Sequence, residues 1–189
     1  MTPWVLDPSH SAIHFSVRHM MVARVRGSFR DFALDVEFDP EHPEDGRVTA
    51  TVQAASIDTG EPQRDTHLRS PDFLDAEGFP TMTFVSTAVE PRGHGAFALS
   101  GDLAIRGVTV PVTFDAEFVG EVANAQGGHS AGLSASVRLN RRDWGLVWNM
   151  GLEAGGLVVS DEVSVEIDVE LVRAAVPVVG TPIPAAALA

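Results

Sequence analysis

Residues Asp7 to Met20 read DPSHSAIHFSVRHM, and their alternation decides the fold class. Ile13, Phe15 and Val17 are apolar, while His14, Ser16 and Arg18 are polar. A period of two is the pattern of a strand with one buried face. The odd face extends from Ser11 to His19, so its apolar line starts on a hydroxyl and finishes on an imidazole. A strand that is only a wall needs no polar group at both ends of its apolar face. This one is read as reaching a pocket.

The same alternation recurs along the chain. Val25 to Phe38 alternates, but its apolar parity flips from Val25 and Phe29 to Phe32, Leu34, Val36 and Phe38. One extra residue near Arg30-Asp31 restores the pattern, so a β-bulge is expected there. Further strands are read at Val48 to Ile57, Thr81 to Glu90, Ala96 to Arg106, Val108 to Phe118, Leu133 to Asn140 and Val163 to Leu171. The last is the clearest, with Val163, Val165, Ile167, Val169 and Leu171 alternating against Ser164, Glu166, Asp168 and Glu170.

Glu41 to Gly46, Pro91 to Gly95 and Asn124 to Gly128 carry turn residues. Arg106-Gly107 has none to spare and reads as a bend within a long strand pair. Two longer segments, Glu61 to Phe79 and Arg141 to Gly156, lack a strand period. Long connections in a compact domain are often functional. A short helix is expected at about Pro71 to Ala76, with Ser70 as N-cap and Pro71 in the first helical position. Residues 1–173 form one domain, and the Ala/Pro-rich 174–189 is read as a disordered tail.

Composition narrows the chemistry. The chain has no Cys, no Tyr and no Lys, so disulfides, thiolate metal sites, thiol nucleophiles and Schiff-base lysines are out. All thirteen cationic side chains are Arg. A GC-rich genome that favours Arg codons is the first explanation, with bidentate binding of phosphate or carboxylate the functional one. The net charge of −13 repels nucleic acid and anionic membrane, so any anion site must be a local Arg cluster. No secretory leader pattern and no run of transmembrane length is seen, which gives a cytoplasmic expectation without stable membrane insertion.

Eight strands with one apolar face each, short turns and little helix point to an all-β antiparallel meander. Closing it into an eight-stranded barrel removes the two exposed edges; a two-sheet sandwich is the alternative. Small inward residues at Gly101, Ala116 and Ala135 leave volume in such a barrel. Phe15, Phe84 and Phe114 are equally able to fill it.

Beyond the opening stretch, VRGSFRDF (Val25 to Phe32), ASIDTGEPQRDTHLRSPDFLDAEGFPTMTFVST (Ala55 to Thr87), GDLAIRGVTVPV (Gly101 to Val112) and LNRRDWGLVW (Leu139 to Trp148) follow in order. Together they resemble the YceI-like, polyisoprenoid-binding family, and the resemblance runs from Trp4 to Leu171. It implies a lipocalin-like barrel with an apolar lumen, a carrier role for a long isoprenoid or similar lipid, and homodimers. On that reading Ile13, Phe15, Val17, Phe29, Phe84, Leu103, Phe114 and Trp148 line the lumen. His19, Arg64, Asp65, His67 and Arg142 meet the polar head at the mouth.

Each polar group has a plainer reading. Asp65 can pair with an Arg and cap its own loop, with Leu68 and Phe73 anchoring it. Arg141, Arg142 and Asp143 beside Trp144 and Trp148 fit an anionic head over an aromatic rim, or an ordinary ion pair beside a core Trp. His10 and His14 share parity while His19 does not, so one strand cannot bring all three to one ion. The alternative to a carrier is a metal or enzymatic protein using His10, His19, Asp65 and His67. GxSxG, HExxH and a glycine-rich loop before a helix are all missing. The expectation is therefore a non-enzymatic protein with no catalytic residues, no metal and no cofactor.

Overall fold

A kink at Arg30-Asp31 determines how the wall is built. The computed structural model describes residues 4–20, 22–39, 42–125, 127–151 and 158–173; the expected tail lies outside them. Ten strands appear: β1 (Val5–His19), β2 (Ala23–Phe29), β3 (Phe32–Glu37), β4 (Arg47–Gln53), β5 (Ile57–Asp58), β6 (Thr81–Gly93), β7 (Ala96–Ile105), β8 (Val108–Ala123), β9 (His129–Asn140) and β10 (Val159–Arg173). One helix, α1 (Pro62–Arg69), lies between β5 and β6. The strands form a single antiparallel sheet in the order β3-β4-β6-β7-β8-β9-β10-β1-β2-β5.

The count of ten replaces the expected eight because two strands are interrupted. β2 and β3 are halves of one, broken at the parity flip near Arg30-Asp31. β4 and β5 are halves of another, broken by a 3-10 turn at Ala54–Ser56. The breaks face each other: Gln53 N donates to Asp31 O at 2.9 Å and Arg30 N to Ser56 O at 3.2 Å. Both edges of the sheet, β3 and β5, thus belong to one kinked hairpin. The sheet curls into a lipocalin-like barrel, with β1 on β10 (Phe15 opposite Val165) and neighbours in chain order around the rest. Pairing consecutive strands is the cheapest topology for such a wall.

Register shifts re-aim side chains along the long strands. In β1, residues 8–11 stand against Val169 alone, so the odd face does not run through from Ser11. Ser11 Oγ instead donates to Asp7 O at 2.7 Å and accepts from Glu170 N at 3.0 Å, closing a bulge. In β8 the shift between Phe118 and Gly120 turns Val119 and Val122 outward. Arg106-Gly107 is a tight hairpin turn rather than a bend, with φ of 50° and 74°. Positive φ at both central residues is what a two-residue hairpin needs.

The helix also sits elsewhere than expected. Pro62 occupies its first turn, and the Glu61 carboxylate caps it by accepting from Gln63 N and Arg64 N. Ser70 ends this helix, its hydroxyl donating to His67 O at 2.7 Å. Glu is an unusual cap, so Ser70-Pro71 looked the better start.

Two apolar clusters hold the ends. At one end Trp4, Val36, Ala131 and Leu171 pack together, and the Arg173 guanidinium lies 4.4 Å from the Trp4 ring centre. At the other, Phe73, Trp144 and Leu146 pack with Leu68, Leu103 and Leu139. No helix among the described residues is long and apolar enough to cross a membrane.

Candidate functional site

Between the wall and its loops lies an apolar chamber of about 320 Å³. β1 contributes Phe15, Val17 and His19; β10 contributes Val159, Val163 and Val165. The strand period places these, since Phe15, Val17 and His19 are two residues apart and Val159, Val163 and Val165 share one parity. Phe29, Ile57, Met82, Ile105 and Leu139 complete the wall, while Leu68, Phe73, Trp144, Leu146 and Trp148 come from the two long connections. Sequence reasoning missed most of the loop residues. The missed β10 valines carried a readable signal, their strict parity.

A second, smaller chamber of about 140 Å³ lies further along the axis, lined by Val36, Val48, Leu99, Ala116, Ala135 and Ile167 among others. Phe84 and Phe114 bound it, with ring centroids 5.2 Å apart in an edge-to-face pair. Gly101 makes room for that waist: a Cβ there would come within 2.5 Å of the Phe84 ring. The volume left by Gly101 is therefore taken by Phe84 and not free for a guest. Gly27 plays the same part under Phe15, where a Cβ would meet the ring at 2.4 Å.

Of the residues expected in the lumen, Phe15, Val17, Phe29 and Trp148 line the first chamber, and Phe84 and Phe114 the second. Ile13 and Leu103 line neither. Ile13 is buried, opposite Ile167 and Phe29. The Leu103 carbonyl accepts from Trp144 Nε1 at 3.0 Å, which fixes the indole under the loop.

Of the expected head-group residues, His19, Arg64 and His67 reach the first chamber, but Asp65 and Arg142 do not. Asp65 is buried and pairs with no Arg; it accepts from Thr59 N at 2.9 Å and Thr59 Oγ1 at 2.5 Å. Arg142 is exposed and meets Asp161 at 3.0 Å. Its neighbour Arg141 takes the inner place. Arg141 is 6% exposed and donates to Ser160 O, Leu146 O and Asp161 Oδ1. Burial pushes its pKa down, and Asp161 opposes that. Composition reads Arg as a surface residue, which is why Arg141 went unassigned.

The polar groups at this chamber differ in what they have to spare. Arg64 gives Nε and one terminal nitrogen to Thr59 Oγ1 and O, at 2.7 and 2.9 Å. His67 stands edge-on to Trp148 and Phe73, at 4.7 and 5.0 Å, with Nε2 2.9 Å from Asp72. His19 makes no side-chain hydrogen bond to any described residue, while its ring borders the chamber. Arg69 is a clamp outside the chamber, donating to Ala55 O and Ile57 O at 2.7 and 2.6 Å.

The four groups of the metal alternative are not brought together. His10 lies in the β1 bulge, nine residues from His19 and therefore roughly 25 Å away along the strand. There His10 Nδ1 is 3.0 Å from Asp7 and 3.7 Å from Glu170, an exposed imidazole between two half-buried carboxylates at the opposite end of the barrel. Hydrogen bonds from Ser9 and His10 hold the Asp7 carboxyl down at about 2, and its bond to Asp7 raises the His10 imidazole.

Known proteins share this architecture. A solved Campylobacter jejuni YceI protein is 27% identical, with a TM-score of 0.72 over 84% of this chain and 90% of that one. A polyisoprenoid binding domain from Saccharophagus degradans, implicated in plant cell wall breakdown, aligns with a TM-score of 0.65 at 15% identity, over 93% of this chain and all of that one. That likeness is one of fold. In sequence, a UPF0312 protein of Azotobacter vinelandii is 37% identical, over 90% of this chain and 86% of its own. A UPF0312 protein of Staphylococcus aureus is 36% identical, over 90% and 97%. The YceI-like domain model matches residues 4–171, and with this wall, this loop and these relatives the chain belongs to the YceI-like domain family.

Proposed function

We propose that the protein is a non-enzymatic carrier that holds an amphiphile with a long apolar tail, of the isoprenoid class, inside the barrel. The observation carrying this reading is the first chamber itself: an apolar interior whose few polar side chains gather at the loop end. Such a site takes a tail by burial alone, at roughly 0.8 kcal/mol per methylene, and orients it by the head. The head lies against His19, with Arg64 and His67 beside it. The polyisoprenoid binding domain of Saccharophagus degradans supports the choice of ligand class through its shared fold.

Chamber size bears on tail length. At about 320 Å³ the first chamber is at the small end of ligand pockets. A long chain reaches the second chamber only past the Phe84–Phe114 pair.

Native mass spectrometry of protein purified without organic extraction tests the reading. An adduct of lipid mass is expected, displaced by a dansyl-labelled fatty acid whose fluorescence rises on binding. Protein that carries no adduct and excludes the probe would end this proposal.

A further inference from the structure

The loop end of the barrel has an apolar rim outside the chamber. Val22 is 86% exposed on the turn after β1, beside Met20 at 42%. Val147 and Met150 are 59% and 57% exposed on the facing loop. The two segments are stitched together through Val158: Met20 N donates to Val158 O at 2.9 Å, and Val158 N to Met150 O at 3.0 Å. Asn149 pins the same loop to Val159 by two further bonds, at 2.6 and 3.1 Å. The rim is thus a built edge, and its own neighbours His19, Trp148 and Val158 line the chamber. Single exposed valines are ordinary; four apolar side chains around the mouth of an apolar cavity are not.

Charge is divided along the barrel. Arg18, Arg24, Arg26 and Arg138 stand exposed on the outer faces of β1, β2 and β9, and none forms an ion pair with a described carboxylate. All four lie within three residues of the loop end of their strands, about 10 Å. The loop end also carries exposed carboxylates, Asp72, Asp143 and Glu162 among them, while the opposite end carries Glu37, Glu44, Asp45, Glu90 and Glu117. Against a net charge of −13, these four guanidinium groups without an ion-pair partner among the described residues form a local basic patch beside the apolar tips, with Glu166 in the same groove as Arg24, Arg26 and Arg138. Guanidinium over apolar tips is the chemistry of an anionic bilayer surface: tips enter the acyl boundary and arginines meet phosphates. The acidic far end turns away from the same surface.

We propose that this rim docks the barrel, mouth first, on anionic phospholipid bilayers. Docking goes beyond the carrier reading, and it involves outer side chains that the chamber does not use. Mouth-first contact puts the chamber entrance at the acyl boundary, so a lipid passes between bilayer and barrel without crossing water.

Co-sedimentation of the full chain with vesicles tests the proposal. Vesicles of phosphatidylglycerol mixed with phosphatidylcholine are expected to bind it, at least tenfold better than phosphatidylcholine alone and less well as salt rises. Val22→Asp with Val147→Asp is expected to cut binding about tenfold or more, and so is Arg18→Glu with Arg24→Glu. Val119→Asp with Val122→Asp, exposed on β8 at the other end, is expected to bind as the parent does. Three results overturn docking: a parent chain that ignores anionic vesicles, a β8 variant that loses as much as the rim variant, or rim variants that change the mass in sedimentation velocity and leave vesicle binding intact. The last outcome assigns the rim to a second copy of the chain. Native mass spectra of the rim variant separate the two proposals, since its lipid adduct depends on the chamber alone.

Discussion

The two chambers share strands, alternation and apolar lining, yet only one is suited to recognition. The far chamber is walled almost wholly by strand residues, several of which pack on the Trp4, Val36 and Leu171 cluster. The near chamber is walled partly by two irregular connections, and these bring Arg64, His67, Arg141, Trp144 and Trp148. Strands supply a repeating apolar surface. Loops supply the few groups whose position is not periodic. The difference teaches that the barrel makes volume and the loops make chemistry.

The strongest way to break the distinction is to remove the waist. Phe84→Ala is expected to merge the chambers and to cost about 3–5 kcal/mol of stability, as large-to-small core changes do. Urea unfolding reads the stability. Adduct masses should shift toward longer lipids; an unchanged adduct distribution would show that the waist does not limit tail length. Arg141→Met comes next. It leaves the Leu146 and Ser160 carbonyls without their guanidinium partner while Asp161 keeps Arg142. A loss of about 2–3 kcal/mol is expected, with amide exchange rising at the near loops and not around Trp4. Equal rises at both ends would deny that the ends are held separately.

The smallest effect belongs to His10. Its pKa is raised above the ordinary 6.5 by Asp7, so the interaction is fully present below that value and lost as pH rises through the raised one. The Asp7 side of the pair holds as pH falls, until the carboxyl protonates between 3.8 and about 2. Proton NMR of the imidazole reads this, and Asp7→Asn should return His10 to its ordinary titration. The pair sits at the far end of the barrel, so the near chamber should not respond.

What the sequence made legible follows from period. Strand positions, the break at Arg30-Asp31 and the inward set of Phe15, Val17, Phe84 and Phe114 could be read because alternation is local. The helix was displaced because an acidic cap, Glu61, looked weaker than Ser70 followed by Pro. The family resemblance puts Asp65 at the mouth with its motif, and Arg142 reads there because it stands beside Trp144 and Trp148. Adjacent residues in these helical turns diverge: Asp65 turns under Thr59 and Arg142 out to Asp161, while Arg64 and Arg141 turn in. The Asp7–His10–Glu170 trio was invisible because a four-residue bulge faces one residue of a strand 160 positions on, and no local pattern encodes that.

The ladder between β1 and β10 has one more consequence. The other ladders join strands that follow one another or, as with β4 and β6 across β5 and α1, stand a few elements apart, so each closes a far shorter loop. β1 and β10 are joined only through the whole intervening chain, and loop-closure entropy rises with that length. The slow event in folding is accordingly the meeting of the two termini of the domain, a feature of high contact order grafted on a chain of local hairpins. Until it happens the polypeptide is a curved ribbon with two bare edges, and bare edges are what aggregate.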